Sequence, residues 1–190
     1  MWPLPIAYGL FVAGVCAAIA TTPEPGAEEV RAIIRATAFT SGVPFLLLFV
    51  ASPLQRLRPS AASRWLMQNR RYLGLSVAAS HFWHLVAIVV LVRTFSSGDT
   101  GIAPLTKLFG GAGFVLLALM AATSTDGAQH ALGRAWGWLH LVGVYVLWLD
   151  FIFTYSGTAT TAPFHGLMTL LFALAWTLRV VAFTSAARRS

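Results

Sequence analysis

The chain has 190 residues, of which 57% are hydrophobic and only 10% charged. A soluble domain carries roughly a quarter of its residues as charges, so this composition excludes one and assigns the chain to a lipid bilayer. The net charge of +7 does not point to nucleic acid, because the thirteen Lys and Arg fall between long apolar runs and form no basic face.

Six apolar stretches follow in chain order, approximately Leu4 to Ala20, Ala32 to Ser52, Tyr72 to Val92, Leu105 to Thr123, Trp138 to Tyr155 and Pro163 to Phe183. Each is long enough to cross a bilayer as a helix. The breaks between them carry turn chemistry: Thr21 to Gly26, Arg56 to Arg71, Ser96 to Asp99, Thr125 to Gly127 and Ser156 to Thr158. The predicted fold is all-α, a polytopic membrane bundle of six transmembrane helices forming one domain over 1–190. No length remains within these residues for a soluble catalytic domain, so function is expected inside the bundle.

Alternate connections group Arg56, Arg58, Arg64, Arg70, Arg71, Arg134, Arg179, Arg188 and Arg189 on one side, and Arg31, Arg35, Arg93 and Lys107 on the other. The positive-inside rule makes the first side cytoplasmic, with both termini there. For residues 1–20 two readings stand. Ala18-Ile19-Ala20 has the small-x-small form of a signal-peptidase site, whereas the lack of any Lys or Arg ahead of the apolar run favours a retained first helix. The single Cys16 excludes an intramolecular disulfide, a cysteine zinc site and an iron–sulfur cluster.

Polar residues at membrane depth are the informative ones, since each carries an insertion penalty unless a partner offsets it. In the third stretch Ser76, Ser80 and His84 recur at intervals of four on one helical face, with His81 one turn before His84. Two imidazoles one turn apart suit either a metal or haem ligand patch or hydrogen bonding between helices. At 1.5 Å per residue, His84 lies roughly 20 Å beyond Arg71, and His140 and Asp150 about 9 and 24 Å beyond Arg134. His140 is thus expected at an inner level, with Asp150 nearer in depth to His84 and available to hydrogen-bond its ring. Asp150 alternatively snorkels to the outer interface. Arg35, Thr37, Thr40 and Ser41 mark the outer half of the second helix. His165 is expected at an interface, His130 in solvent, and Trp83, Trp148 and Trp176 in packing or anchoring.

Ala51-Ser52-Pro53-Leu54-Gln55-Arg56-Leu57, then Arg64-Trp65-Leu66-Met67-Gln68-Asn69-Arg70-Arg71-Tyr72-Leu73-Gly74-Leu75, resemble the second inner loop and third-helix start of ferric reductase-like transmembrane domains. Thr123-Ser124-Thr125-Asp126, with Gln129, Leu132-Gly133-Arg134, Trp136 and Leu139-His140, is similar to the connection between that family's fourth and fifth helices. The similarity runs from about Arg35 to Asp150, inside a ferric reductase-like core of about 32–184. Within the family it resembles the haem-binding membrane subunit of the bacterial periplasmic methionine sulfoxide reductase system.

The resemblance implies a b-type haem protein of the bacterial inner membrane, the electron-transfer subunit of an oxidoreductase. It implies iron ligation by His84 and His140, with His81 an additional candidate. Where the family has a further fifth-helix histidine this chain has Phe153, which leaves one haem b rather than two. Arg35 outside, or Arg71 and Arg134 inside, would hold propionates, and Asp150 would orient a ligand. Electrons would come from a separate quinol or flavoprotein and pass to a periplasmic acceptor protein. The alternative is a haem-free six-helix scaffold or small transporter, to which the close-packing glycines Gly110, Gly111 and Gly113 are equally suited. A reporter enzyme fused after Ser190 is expected to be active only in the cytoplasm. Periplasmic activity there would reverse the orientation.

Overall fold

A computed structural model describes residues 3–21, 25–95, 104–157 and 163–187. The elements among them are all helices: α1 (Pro3–Ile19), α2 (Ala27–Leu57), α3 (Ala61–Gln68), α4 (Arg70–Phe95), α5 (Pro104–Ala122), α6 (Asp126–Leu132), α7 (Arg134–Ser156) and α8 (Pro163–Ala187). Helices α2, α4, α7 and α8 are long and apolar enough to cross a membrane. A fifth crossing counts if Gly110–Ala122 and Asp126–Leu132, which meet at a bend of 108°, form one broken span. Helix α1 is apolar but has 17 residues, short of the ~20 of an ordinary crossing. The chain is an all-α, multi-pass membrane protein in which helices occupy all six apolar stretches.

Two connections expected as loops are helices instead. Pro59 ends the chain's run out of α2, and Ser60 caps α3: the Ser63 amide donates to Ser60 Oγ at 3.1 Å, and the Ser60 amide donates to Ser63 Oγ at 2.8 Å. This is a capping box with Ser in place of the usual Glu or Gln, so its sequence trace is faint. Ser63 Oγ also donates to Gln55 Oε1 at 2.7 Å, tying α3 to the end of α2. Helix α6 begins at Thr125, whose side chain accepts from the Ala128 amide at 3.2 Å. Asp126 in its first turn pairs with Arg71 at the start of α4 and complements the helix dipole.

The chain forms two compact units. The first comprises Met1–Phe45 with Tyr72–Ile102, and the second Leu46–Arg71 with Ala103–Ser190. In the first, Val12, Val30, Phe45 and Val77 are buried, and α1 is held by two polar ties: Tyr8 Oη donates to the Thr40 carbonyl, and Trp83 Nε1 donates to the Gly9 carbonyl at 3.1 Å. A Cβ at Gly9 would stand 3.4 Å from that of Ala79, so α1 and α4 come within van der Waals contact there.

In the second unit α5 packs along α7, and α7 along α8. Phe172 of α8 lies between Phe151 and Tyr155 of α7, at 5.2 and 5.8 Å between ring centroids. Gly143 of α7 accepts the Met120 thioether of α5, which occupies the place a side chain would take. Many large apolar side chains stay exposed, Leu10, Trp138 and Phe183 among them, as a lipid-facing surface requires. Gly143→Val is expected to cost about 1–3 kcal/mol by overpacking. It should lower the melting temperature in detergent, and Met120→Ala in the same chain should restore part of the loss.

Candidate functional site

Polar side chains concentrate where α2 and α4 meet within the first unit. Thr37, Thr40 and Ser41 lie one turn apart on α2, and Ser76, Ser80 and His81 line the matching face of α4. All six are buried. Without water, each hydroxyl must bond to protein. The Thr37 carbonyl accepts from Ser41 Oγ at 2.9 Å, from Ser80 Oγ at 3.1 Å and, more weakly, from Thr40 Oγ1 at 3.3 Å. Thr40 and Ser80 are joined directly, oxygen to oxygen, at 2.9 Å.

His84 extends this seam. Its Nδ1 stands 3.1 Å from the Ile34 carbonyl and 2.9 Å from Thr37 Oγ1. A carbonyl only accepts, so Nδ1 carries the proton and the imidazole lone pair is at Nε2. The His81 ring, 6% exposed, lies 5.7 Å from that of His84 and is inclined to it by 51°. The Nδ1 proton is therefore oriented by a backbone carbonyl and a threonine. The sequence expectation offered Asp150 as a hydrogen-bond partner for the His84 ring; Asp150 belongs to the second unit. There the Asp150 carboxylate lies over α5, with Oδ1 3.8 Å from the Cβ position of Gly110 and Oδ2 4.0 Å from that of Gly113.

His140 is built the same way in the second unit. Its Nδ1 donates to the Trp136 carbonyl one turn back at 3.0 Å, again leaving the lone pair at Nε2. The ring stacks on the Trp136 indole at 4.0 Å, and that indole donates from Nε1 to the Thr123 carbonyl at 3.0 Å. The His140 orientation is thus fixed from the turn between α5 and α6. Arg35 and Arg134 are exposed, whereas Arg71 is engaged by Asp126. His130 is exposed on α6, as expected, and His165 lies beside Tyr155 at 5.7 Å. Phe153 is 59% exposed. Among the described residues no three His, Cys, Asp or Glu converge as a metal site.

Residues 35–152 match the family described as ferric reductase like transmembrane component, a stretch holding the seam, both oriented histidines and Asp150. The chain belongs to this family. The ferric reductase-like match leaves out α1, whose ties to Thr40 and Trp83 lie at the edge of the seam. Similarity also extends to the protein-methionine-sulfoxide reductase heme-binding subunit MsrQ of Ralstonia nicotianae, at 31% identity over 133 residues. That alignment covers 67% of this chain and 59% of the relative, so the chain spans somewhat under two thirds of the curated relative it matches. No solved structure gives a significant match.

Two contributors to the site were not singled out as ligand supports from sequence. In the sequence Trp136 stands as part of the family-like motif, and Thr37 as a marker of helix depth. The i to i−4 spacing of Trp136 and His140 was the available signal for the first. A double-mutant cycle of Thr40→Ala and Ser80→Ala is expected to give a coupling energy of about 0.6 kcal/mol, the average for such bonds in membrane helices. It is read from unfolding in mixed micelles.

Proposed function

We propose that the chain is a b-type haem electron-transfer protein of the bacterial inner membrane, whose haem iron His84 and His140 would hold through their imidazoles. One observation carries this reading. In both residues the Nδ1 proton is committed to a backbone carbonyl, of Ile34 and of Trp136, which turns Nε2 into the donor and fixes the ring. Haem needs no cluster of protein ligands, because the porphyrin fills the equatorial positions and leaves at most two for side chains. When bound, haem b supplies one-electron chemistry at iron.

The residues divide the remaining work. Thr37 and Ile34 restrain the His84 ring, and Trp136 restrains that of His140 both through its carbonyl and by stacking. The apolar surroundings exclude water and lower the local dielectric. Either Arg35 on the outer side or Arg134 on the inner side, both exposed and without carboxylate partners among the described contacts, would be the cation for the propionates. Arg71 is less suited, since Asp126 already neutralises it. Phe153 has no lone pair for iron, which supports one haem rather than two.

Six crossings with both termini cytoplasmic are part of the same proposal. So are a separate quinol or flavoprotein donor and a periplasmic acceptor. The name of the Ralstonia relative suggests the catalytic subunit of a methionine sulfoxide reductase as that acceptor.

Protein purified after expression with supplied haem is expected to show the spectrum of low-spin bis-imidazole haem. His140→Ala should abolish it, and His130→Ala should leave it intact. Of His81→Ala and His84→Ala, the second should abolish binding and the first only perturb the band positions. Absence of a haem spectrum in the wild-type protein would favour the haem-free scaffold, and an unchanged spectrum in His140→Ala would remove that residue from the ligand set.

A further inference from the structure

The second unit contains a cleft of about 520 Å³ that the haem reading does not use. Two guanidiniums line it, those of Arg56 at the end of α2 and Arg179 within α8. Tyr145, Trp176, Leu141 and Phe183 form much of the rest of its wall. None of the lining residues is acidic.

Arg179 is held by π faces in place of an anion. Its guanidinium carbon lies 4.3 Å from the Phe49 ring centroid and 5.2 Å from that of Tyr145. Behind these rings the Trp148 and Trp176 indoles stack at 4.6 Å, and Trp148 Nε1 donates to the Phe172 carbonyl at 3.2 Å. The Arg179 guanidinium rests against this aromatic wall, yet its Nη1 is buried with no hydrogen-bond partner among the described residues. Cation–π contact satisfies the charge from its face, but the N–H donors at its edge still require an acceptor.

Charge points the same way. The residues of the second unit include ten of the thirteen Lys and Arg and only two carboxylates, Asp126 and Asp150. Asp126 is committed to Arg71, and Asp150 lies over the α5 glycines. Arg56 and Arg70 both press like charge on Arg179. Beside the arginines the cleft is edged by exposed apolar side chains: Leu141 is 46%, Val180 45% and Phe183 71% exposed. A ligand matching all of this is amphiphilic, with a phosphate for the guanidiniums and hydrocarbon for the flank.

We propose that this cleft binds an anionic phospholipid, its phosphate held by Arg56 and Arg179 and an acyl chain lying along Leu141, Val180 and Phe183. Arginine presents paired donors that fit phosphate oxygens, and basic pockets among membrane helices recognise anionic headgroups in this way. Neither guanidinium belongs to the residues proposed to hold haem.

The test is native mass spectrometry of the full chain in mild detergent, titrated separately with phosphatidylglycerol, phosphatidylcholine and inorganic phosphate. Wild type is expected to retain phosphatidylglycerol in preference to phosphatidylcholine. Arg56→Gln should weaken that binding about fivefold, the effect of one cation at a membrane surface. Arg64→Gln, on exposed α3 and outside the cleft, should leave it unchanged. Arg179→Gln also removes the contacts to Phe49 and Tyr145, so Arg179→Lys accompanies it and should bind at an intermediate level. Equal retention of phosphatidylcholine, or wild-type binding by Arg56→Gln, would overturn the site. Full displacement by inorganic phosphate would assign it to a soluble anion and overturn the lipid reading. Loss of haem from Arg56→Gln with lipid retention intact would assign the guanidinium to a propionate and overturn it likewise.

Discussion

The Thr37 carbonyl is the hub on which the candidate site depends. It accepts from three hydroxyls, two on its own helix and one from α4, besides standing in the α2 backbone. In water such side chains would solvate separately and set no register. In hydrocarbon they bond to protein or incur several kcal/mol each, so they lock α2 and α4 at one depth. The position of His84 follows from that lock. With Ser80 fixed on Thr37, the next turn of α4 brings His84 to Thr37 Oγ1 and the Ile34 carbonyl, and the tautomer is set by the same contact that sets the helix register.

The second unit reaches a comparable result with different materials. Hydroxyls there, such as those of Ser124, Thr169, Thr177 and Thr184, bond back to the preceding turn, and order between helices comes from shape and π faces: Met120 in the Gly143 notch, Phe172 between Phe151 and Tyr155, and Arg179 over Phe49. His140 gains its orientation from Trp136, a residue on its own helix.

Hydropathy made the six apolar helices legible, because a crossing is a long feature and averages over individual residues. It did not reveal α3 and α6, which have eight and seven residues, are polar, and depend on caps that use Ser and Thr. The burial of His81 and the serines of α4 was legible from their spacing on one face. The partner of the His84 Nδ1 was not, since periodicity fixes which face a residue occupies but not the register of α4 against α2. For the same reason Arg179 read only as a marker of membrane side. Its aromatic neighbours come from α2, α7 and α8, and no pattern within one helix announces them.

The Arg71–Asp126 pair separates two uses of one charge in time. While the chain is being inserted, basic residues beside a nascent span bias its orientation and acidic ones count for little. Arg71 can act in that capacity before α6 has been synthesised, 55 residues further on. Once α6 folds, Asp126 neutralises that charge, and the guanidinium becomes a fastener between the start of α4 and α6, which follows the Thr123 carbonyl that holds Trp136. The order of synthesis thus leaves Arg71 without Asp126 while α4 emerges, and pairs the two only once α6 has formed.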